Sequence, residues 1–240
     1  MGQHGKHRSL VRAAALLALL AAPAGAANCR LALVLALDIS SSVDVDEDRL
    51  QRQGLAAALV APEVRQAFFA ADAPVALSVF EWSGRYNQEI VLDWTLISDP
   101  QTLAQAADRI AGSRRSYNEF PTAMGYALGF GANMLQRAPA CLQSTIDIAG
   151  DGENNEGFGP QLAYAEFAFG GVTVNGLVVA NAADFRSGAS VTKFYAHEVL
   201  YGPGAFLVVA DGFEDYTRAM RAKLVRELSP IAIGALDVTR

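Results

Sequence analysis

Histidine and cysteine are nearly absent from this chain. Its 240 residues hold three histidines and two cysteines, and two of the histidines, His4 and His7, fall within the first ten positions. A zinc site of the usual kind is built from several His or Cys ligands, so zinc is not the expected metal. A nucleophilic mechanism of the Ser-His-Asp type would have to rest on His197, which stands in an aromatic-rich stretch where a structural role is the ordinary one. Basic residues are also in the minority, 19 Lys and Arg against 25 Asp and Glu. A chain of that balance does not hold nucleic acid or anionic lipid by charge. Glycine is missing from the turn Asp38-Ile39-Ser40-Ser41-Ser42-Val43-Asp44, which excludes a P-loop or a dinucleotide fingerprint after the first apolar run. After the N-terminal segment no apolar run is long enough to span a bilayer, which takes about 20 residues.

The N-terminal segment is of a different kind from the rest. Lys6, Arg8 and Arg12 give a basic start, Ala13 to Ala22 is apolar, and Ala24-Gly25-Ala26 is a small-residue cleavage signal. This three-part layout is that of a secretory signal peptide. Residues 1–26 are therefore expected to be removed, leaving residues 27–240 as one exported domain, periplasmic or secreted. A lipoprotein signal would need a small residue before Cys29, and Asn28 stands there. Cleavage removes three basic and no acidic residues, which takes the formal charge from −6 to −9.

The exported part is organised around Leu31 to Ser42, LALVLALDISSS. A near-continuous apolar run of this length reads as a strand covered on both faces. It stops abruptly at Asp38, Ser40 and Ser42. Ligands in α/β sheets bind beyond the carboxyl ends of such strands. One carboxylate and two hydroxyls suit a hard cation such as Mg²⁺, which takes oxygen ligands and keeps several waters. The alternative is an Asp-Ser turn capping the next helix.

Helical spacing follows over Val43 to Leu59, with Asp44, Asp46, Glu47 and Asp48 as a solvated, dipole-matched start. These acids imitate an EF-hand loop, but Arg49 and Leu55 occupy its required glycine and glutamate positions. Val75 to Trp82 and Glu89 to Trp94 read as a hairpin around Ser83-Gly84 and Tyr86-Asn87. Glu81, near the end of the first of these strands, is expected to face solvent at the sheet rim, the alternative being a partner that supports the metal ligands from behind. Asp99-Pro100 opens a helix to about Ala111, and Gly112 to Thr122 is polar and irregular. The helical pattern from Thr122 carries Gly129 and Gly131, which predict irregularity. Thr145 to Ala149 is a strand ending in Gly150-Asp151-Gly152, so Asp151 repeats the situation of Asp38. Asp147, inside that strand, is expected to cap backbone or bind an arginine. A helix over Gln161 to Phe169, a strand over Val172 to Ala180, a loop over Asn181 to Ser190, a helix over Val191 to Leu200 and a strand over Ala205 to Ala210 follow. The last helix, Phe213 to Leu228, shows Arg218, Arg221, Lys223 and Arg226 as a solvated face.

Alternating strands and helices with one early hairpin predict an α/β fold. It is doubly wound, with a mostly parallel central sheet, helices on both faces and one antiparallel hairpin strand. The first strand should lie near the middle, and a pocket should form at the carboxyl edge beside it. Cys29 lies nine residues before Asp38 and Cys141 ten before Asp151. If both aspartates end neighbouring parallel strands, the two cysteines meet at the opposite ends, within disulfide reach. An exported chain can keep such a bond. The alternative is two free thiols.

Asp38-Ile39-Ser40-Ser41-Ser42, Thr122 in PTAMGYAL and Gly150-Asp151-Gly152, in that order, resemble the metal-ion-dependent adhesion site of von Willebrand factor A-type domains. The chain also resembles a bacterial group of exported proteins with this domain and no assigned function. Phe120 and Pro121 replace the glycines usual before the threonine. The resemblance implies a divalent cation, with Mg²⁺ expected and Mn²⁺ or Ca²⁺ as alternatives. It implies direct ligation by Ser40 and Ser42, ligation by Thr122 directly or through water, and largely water-mediated roles for Asp38 and Asp151. It also implies a protein partner whose acidic side chain completes the metal site. With few direct carboxylates the ion keeps net positive charge for that incoming group. The competing reading is a metal-assisted phosphoesterase using Asp38, with Glu81 or Glu153 as general acid or base.

Overall fold

The computed structural model describes residues 1–2, 28–180 and 185–229, without the side chains of 185–187. The expected signal peptide over residues 1–26 lies almost wholly outside the described residues. Six strands form one sheet: β1 (Cys29–Asp38), β2 (Val75–Trp82), β3 (Gln88–Ile97), β4 (Cys141–Gly150), β5 (Val172–Ala180) and β6 (Leu207–Asp211). Their order is β3-β2-β1-β4-β5-β6. All neighbours are parallel except β2 and β3. The first strand is thus central, and the chain turns from one half of the sheet to the other across the β1–β4 seam.

The periodicity of β1 explains its position. Leu31, Leu33, Leu35 and Leu37 face one hydrophobic cluster, Val34 and Ala36 the other, and each is at most 2% exposed. Such a strand can only be satisfied between two layers. The first layer contains α1 (Val45–Leu59), α2 (Pro62–Phe68), α3 (Pro100–Ala111) and α7 (Tyr216–Leu228). The second contains α4 (Met124–Gln136), α5 (Pro160–Glu166) and α6 (Phe185–Phe194), which runs into a π-helical turn over Tyr195–Val199.

Several elements differ from their sequence reading. The segment expected as a loop up to Ser190 is helical from Phe185, while 181–184 lie outside the described residues. Helix α2, opened by Pro62 at its first turn, has too few apolar positions to show a period. Strand β4 begins at Cys141, four residues before the apolar run; Leu142 and Gln143 are exposed there, while Cys141 and Gln143 pair with β1. Helix α5 is shorter than expected, ending at Glu166. Helix α4 is continuous through Gly129 and Gly131. Its glycines are contact surfaces: an added Cβ at Gly129 would come 2.6 Å from the Phe167 ring, and one at Gly131 would come 3.0 Å from Ile146. Tight packing there outweighs the poor helix propensity of glycine.

The register of β1 on β4 places Cys29 opposite Cys141. The two form a disulfide with Cα atoms 4.5 Å apart, across a sequence separation of 112. Closing so long a loop removes much unfolded-chain entropy. Cys29→Ser/Cys141→Ser should lose about 3–5 kcal/mol by that loop-entropy argument. Urea unfolding of the variant beside the oxidised wild type measures it. A second expected outcome concerns Gly125, where a Cβ would run into the Phe158 carbonyl and come 2.6 Å from its ring. Gly→Ala in a helix normally stabilises; here Gly125→Ala should cost about 1–3 kcal/mol through overpacking, read as a lower thermal midpoint.

Candidate functional site

At the carboxyl edge of the sheet the chain leaves β1 at Asp38 and β4 at Gly150. Asp38 is fully buried. Its Oδ1 accepts the Ser40 amide at 2.7 Å, and its Oδ2 is buried without a hydrogen-bond partner. Ser40 and Ser42 present their hydroxyls to one another at 3.1 Å. The Ser42 hydroxyl donates to Asp151 Oδ1 at 2.6 Å. Thr122 is 3% exposed. Its hydroxyl lies 3.4 Å, and that of Ser42 4.0 Å, from the point a Cβ on Gly152 would occupy. The five sequence-nominated residues Asp38, Ser40, Ser42, Thr122 and Asp151 therefore converge at one place, drawn from three separate loops.

The electrostatics of the cluster are unbalanced. Burial first, and then the Asp151 charge, push the Asp38 carboxyl up to about 8. Burial also raises Asp151, against the lowering effect of the Ser42 hydrogen bond. Two desolvated carboxylates among hydroxyls are a set that a hard divalent cation would relieve, since it supplies the missing positive charge and accepts oxygen ligands. The orphaned Asp38 Oδ2 fits that reading. Among the described residues no group of three or more His, Cys, Asp or Glu is arranged to hold a metal, so this donor set relies on hydroxyls.

The residues that hold these loops were not nominated by sequence. Arg115 comes from the irregular segment between α3 and α4. Its guanidinium donates to the carbonyls of Ile39 at 2.7 Å, Ser40 at 3.0 Å, Val43 at 2.6 Å and Tyr117 at 2.7 Å. One planar fork thus fixes the backbone of the turn that carries Ser40 and Ser42. Gln51 on α1 donates to the Asp38 carbonyl at 2.9 Å, and the Ser41 amide bonds the Phe120 carbonyl at 2.8 Å. Thr122 is placed by Asn155, whose Oδ1 accepts its amide at 2.8 Å, while the amides of Asn155 and Glu156 bond the Thr122 carbonyl.

Glu81 does not face solvent. It is fully buried, ion-paired with Arg52, and accepts the Ser116 amide at 2.8 Å. Arg52 also grips Asp48 at 2.9 Å and donates to Ser113 at 2.8 Å. Asp48, read as part of a solvated helix start, is 7% exposed for that reason. This network ties α1 and β2 to Ser113 and Ser116 on either side of Arg115, so Glu81 anchors that part of the loop from below. Glu153 accepts the Ser190 hydroxyl from α6, and His197 is exposed in the π-helical turn. Asp147 faces α7 and pairs with Lys223 at 3.0 Å, not with an arginine or the backbone.

No curated protein matches the sequence. Among solved structures, the fold is similar to a von Willebrand factor type A protein from Catenulispora acidiphila, with a TM-score of 0.54, 17% identity and coverage of 83% of this chain and 43% of that one. It is similar to proximal thread matrix protein 1 from the mussel byssus in a form with a zinc-occupied MIDAS motif, with a TM-score of 0.56, 15% identity and coverage of 84% and 48%. It is also similar to the pilus adhesin SpaC from Lactobacillus rhamnosus GG, with a TM-score of 0.60, 12% identity and coverage of 83% and 30%. The chain spans less than half the length of each of these three. With a von Willebrand factor A-type fold and a matching sequence profile over residues 28–232, the chain belongs to the family described as Protein of unknown function (DUF1194).

Proposed function

We propose that the chain is an exported von Willebrand factor A-type module that binds one divalent cation at Asp38, Ser40, Ser42, Thr122 and Asp151, and uses it to hold a protein partner. The carrying observation is the convergence of those five side chains beside a buried Asp38 oxygen that has no partner. Ser40, Ser42 and Thr122 would hold the ion, with Asp38 and Asp151 supplying charge around it. Bound there, the ion supplies a Lewis-acidic anchor for an incoming carboxylate. The neighbours support this reading at the level of fold: one has a zinc-occupied site of the same motif and another is a pilus adhesin. The disulfide is of the kind kept in oxidising compartments, and no described helix is long and apolar enough to cross a membrane.

Binding is a better reading than hydrolysis because the nominated acid–base groups are engaged. Both oxygens of Glu81 are used, one by Arg52 and one by the Ser116 amide. A general base must reach the proton it takes, and Glu81 is sealed below the loop. Turnover of phosphate or carboxyl esters that disappears in Asp38→Ala would reverse this preference.

Calorimetric titration of Mg²⁺, Mn²⁺, Ca²⁺ and Zn²⁺ into metal-stripped mature protein should give saturable one-site binding for at least one ion. Ser40→Ala/Ser42→Ala should abolish it while leaving the fold intact by circular dichroism. Failure of all four ions to bind the wild type would sink the proposal. Arg115→Lys should keep the charge yet lose the four-carbonyl grip, because an ammonium cannot reproduce the planar fork. Its cation affinity should fall about 10-fold or more, the size seen when groups supporting ligands are changed, and the same titration reads it.

A further inference from the structure

Asp38 Oδ2 is not the only unpartnered oxygen at the base of this site. The hydroxyl of Tyr195 is also buried without a hydrogen-bond partner, and the residue is fully buried. The two atoms converge on one point. A Cβ placed on Gly150 would lie 2.6 Å from Asp38 Oδ2 and 2.8 Å from the Tyr195 hydroxyl. A second glycine makes the approach available: a Cβ on Gly176 would come 2.8 Å from the Tyr195 ring and 2.7 Å from Leu207. The ring therefore runs along the sheet surface, past β5 at Gly176 and toward the end of β4 at Gly150. It does so on the same face as Val34 and Ala36 of β1, to which Asp38, two positions on, also points.

The backbone that delivers the ring is unusual. Tyr195 opens the π-helical turn at the end of α6, and its carbonyl accepts the Leu200 amide at 3.0 Å. Wide turns of this kind re-aim a side chain that a regular helix would place elsewhere. The turn is pinned by the Tyr164 hydroxyl on the Val199 carbonyl, and α6 is tied to the site's rim through Ser190 and Glu153. Among the described residues nothing hydrogen-bonds the hydroxyl. A buried phenol without a partner costs free energy relative to phenylalanine, so its presence at this spot calls for a role.

We propose that Tyr195 is a positioning residue of the cation site, its hydroxyl donating to Asp38 Oδ2 when the ion is bound. This rests on the cation-binding reading above. The Ser40 amide holds Oδ1 and Tyr195 holds Oδ2, so the carboxylate is fixed at both oxygens. Each oxygen keeps a lone pair for the ion's surroundings. A carboxylate that cannot pivot favours Mg²⁺, which demands near-octahedral order and retains water, over Ca²⁺, which accepts flexible ligands. Tyr195 is thereby also a determinant of which ion is preferred.

The test titrates Mg²⁺ and Ca²⁺ into metal-stripped wild type, Tyr195→Phe and Ser40→Ala/Ser42→Ala, with thermal unfolding of each. Wild-type protein carrying ring-labelled tyrosine is titrated in parallel by NMR, with the Tyr195 resonance assigned as the one missing from the spectrum of Tyr195→Phe. Tyr195→Phe should bind Mg²⁺ about 10-fold more weakly, with a smaller change for Ca²⁺, and should unfold at the same temperature or higher. The Tyr195 resonance should shift with Mg²⁺ at the midpoint of the heat signal. Wild-type binding that is abolished by the double serine variant but unchanged in Tyr195→Phe, or a Tyr195 resonance indifferent to Mg²⁺, overturns the role of Tyr195 alone. Wild type that takes up neither ion overturns the inference together with the reading beneath it.

Discussion

A carboxylate buried at the end of the central strand governs much of this molecule. Asp38 follows seven apolar residues, Leu31 to Leu37, that two helical layers cover completely. Its side chain therefore leaves the hydrophobic interior with no solvent to neutralise it. Burying an ionised carboxylate without compensation is costly, and the loops around it are arranged as partial compensation. The Ser40 amide, the Ser42 hydroxyl and the nearby Arg115 each favour charge in the cluster. They do not complete it, since Asp38 still sits far above the ordinary carboxylate range. The fold thus assembles donors around two carboxylates and stops short of balance, which is the observation behind the cation-binding proposal.

The arrangement was legible in the sequence where its signal was local. Strand β1 announces itself by composition, and the alternation of Asp38, Ser40 and Ser42 follows directly from it. The matching distances from Cys29 to Asp38 and from Cys141 to Asp151 carry the β1–β4 pairing, because parallel strands keep a fixed rise per residue. Thr122 needed the resemblance, since Phe120 and Pro121 hide its usual glycine context. Arg115 could not be found this way, and Glu81 was legible only as an acid with two open readings, a supporting partner or a solvent-facing side chain. The carbonyls of the Ser40–Ser42 turn that Arg115 holds lie 72 to 76 residues away, and the partners of Glu81 lie 29 and 35 away; neither residue sits in a recurring pattern. Tyr195 was invisible for a further reason: its position depends on a π-helical turn and on two glycines in other strands.

Lys223 shows how a sound local rule fails. Four cations on the last helix read as a solvated face, and Arg218 and Arg221 are indeed exposed. Lys223 instead points inward, fully buried between Asp147 at 3.0 Å and Glu227 at 2.6 Å. Burial and the Glu227 charge raise Asp147, opposed by Lys223. The clue was Asp147 itself, an acid within a buried strand, which needs a cation from whichever helix lies above it. Such buried ion groups add little net stability, but losing one partner is expensive. The triad thus fixes the placement of α7 on the sheet more than it strengthens it, with Asn175 of β5 joined through Glu227 at 2.8 Å.

The two ends of the β1–β4 seam complement each other. At the carboxyl edge the Asp151 charge disfavours a charge on Asp38. At the amino edge Cys29 and Cys141, opposite in the same register, hold the seam closed. Between them seven further matched positions form a parallel ladder, buried over most of its length. Any slip of β4 along β1 would move Asp151 away from Ser42 and part the cysteines, so the covalent bond and the site geometry demand the same alignment.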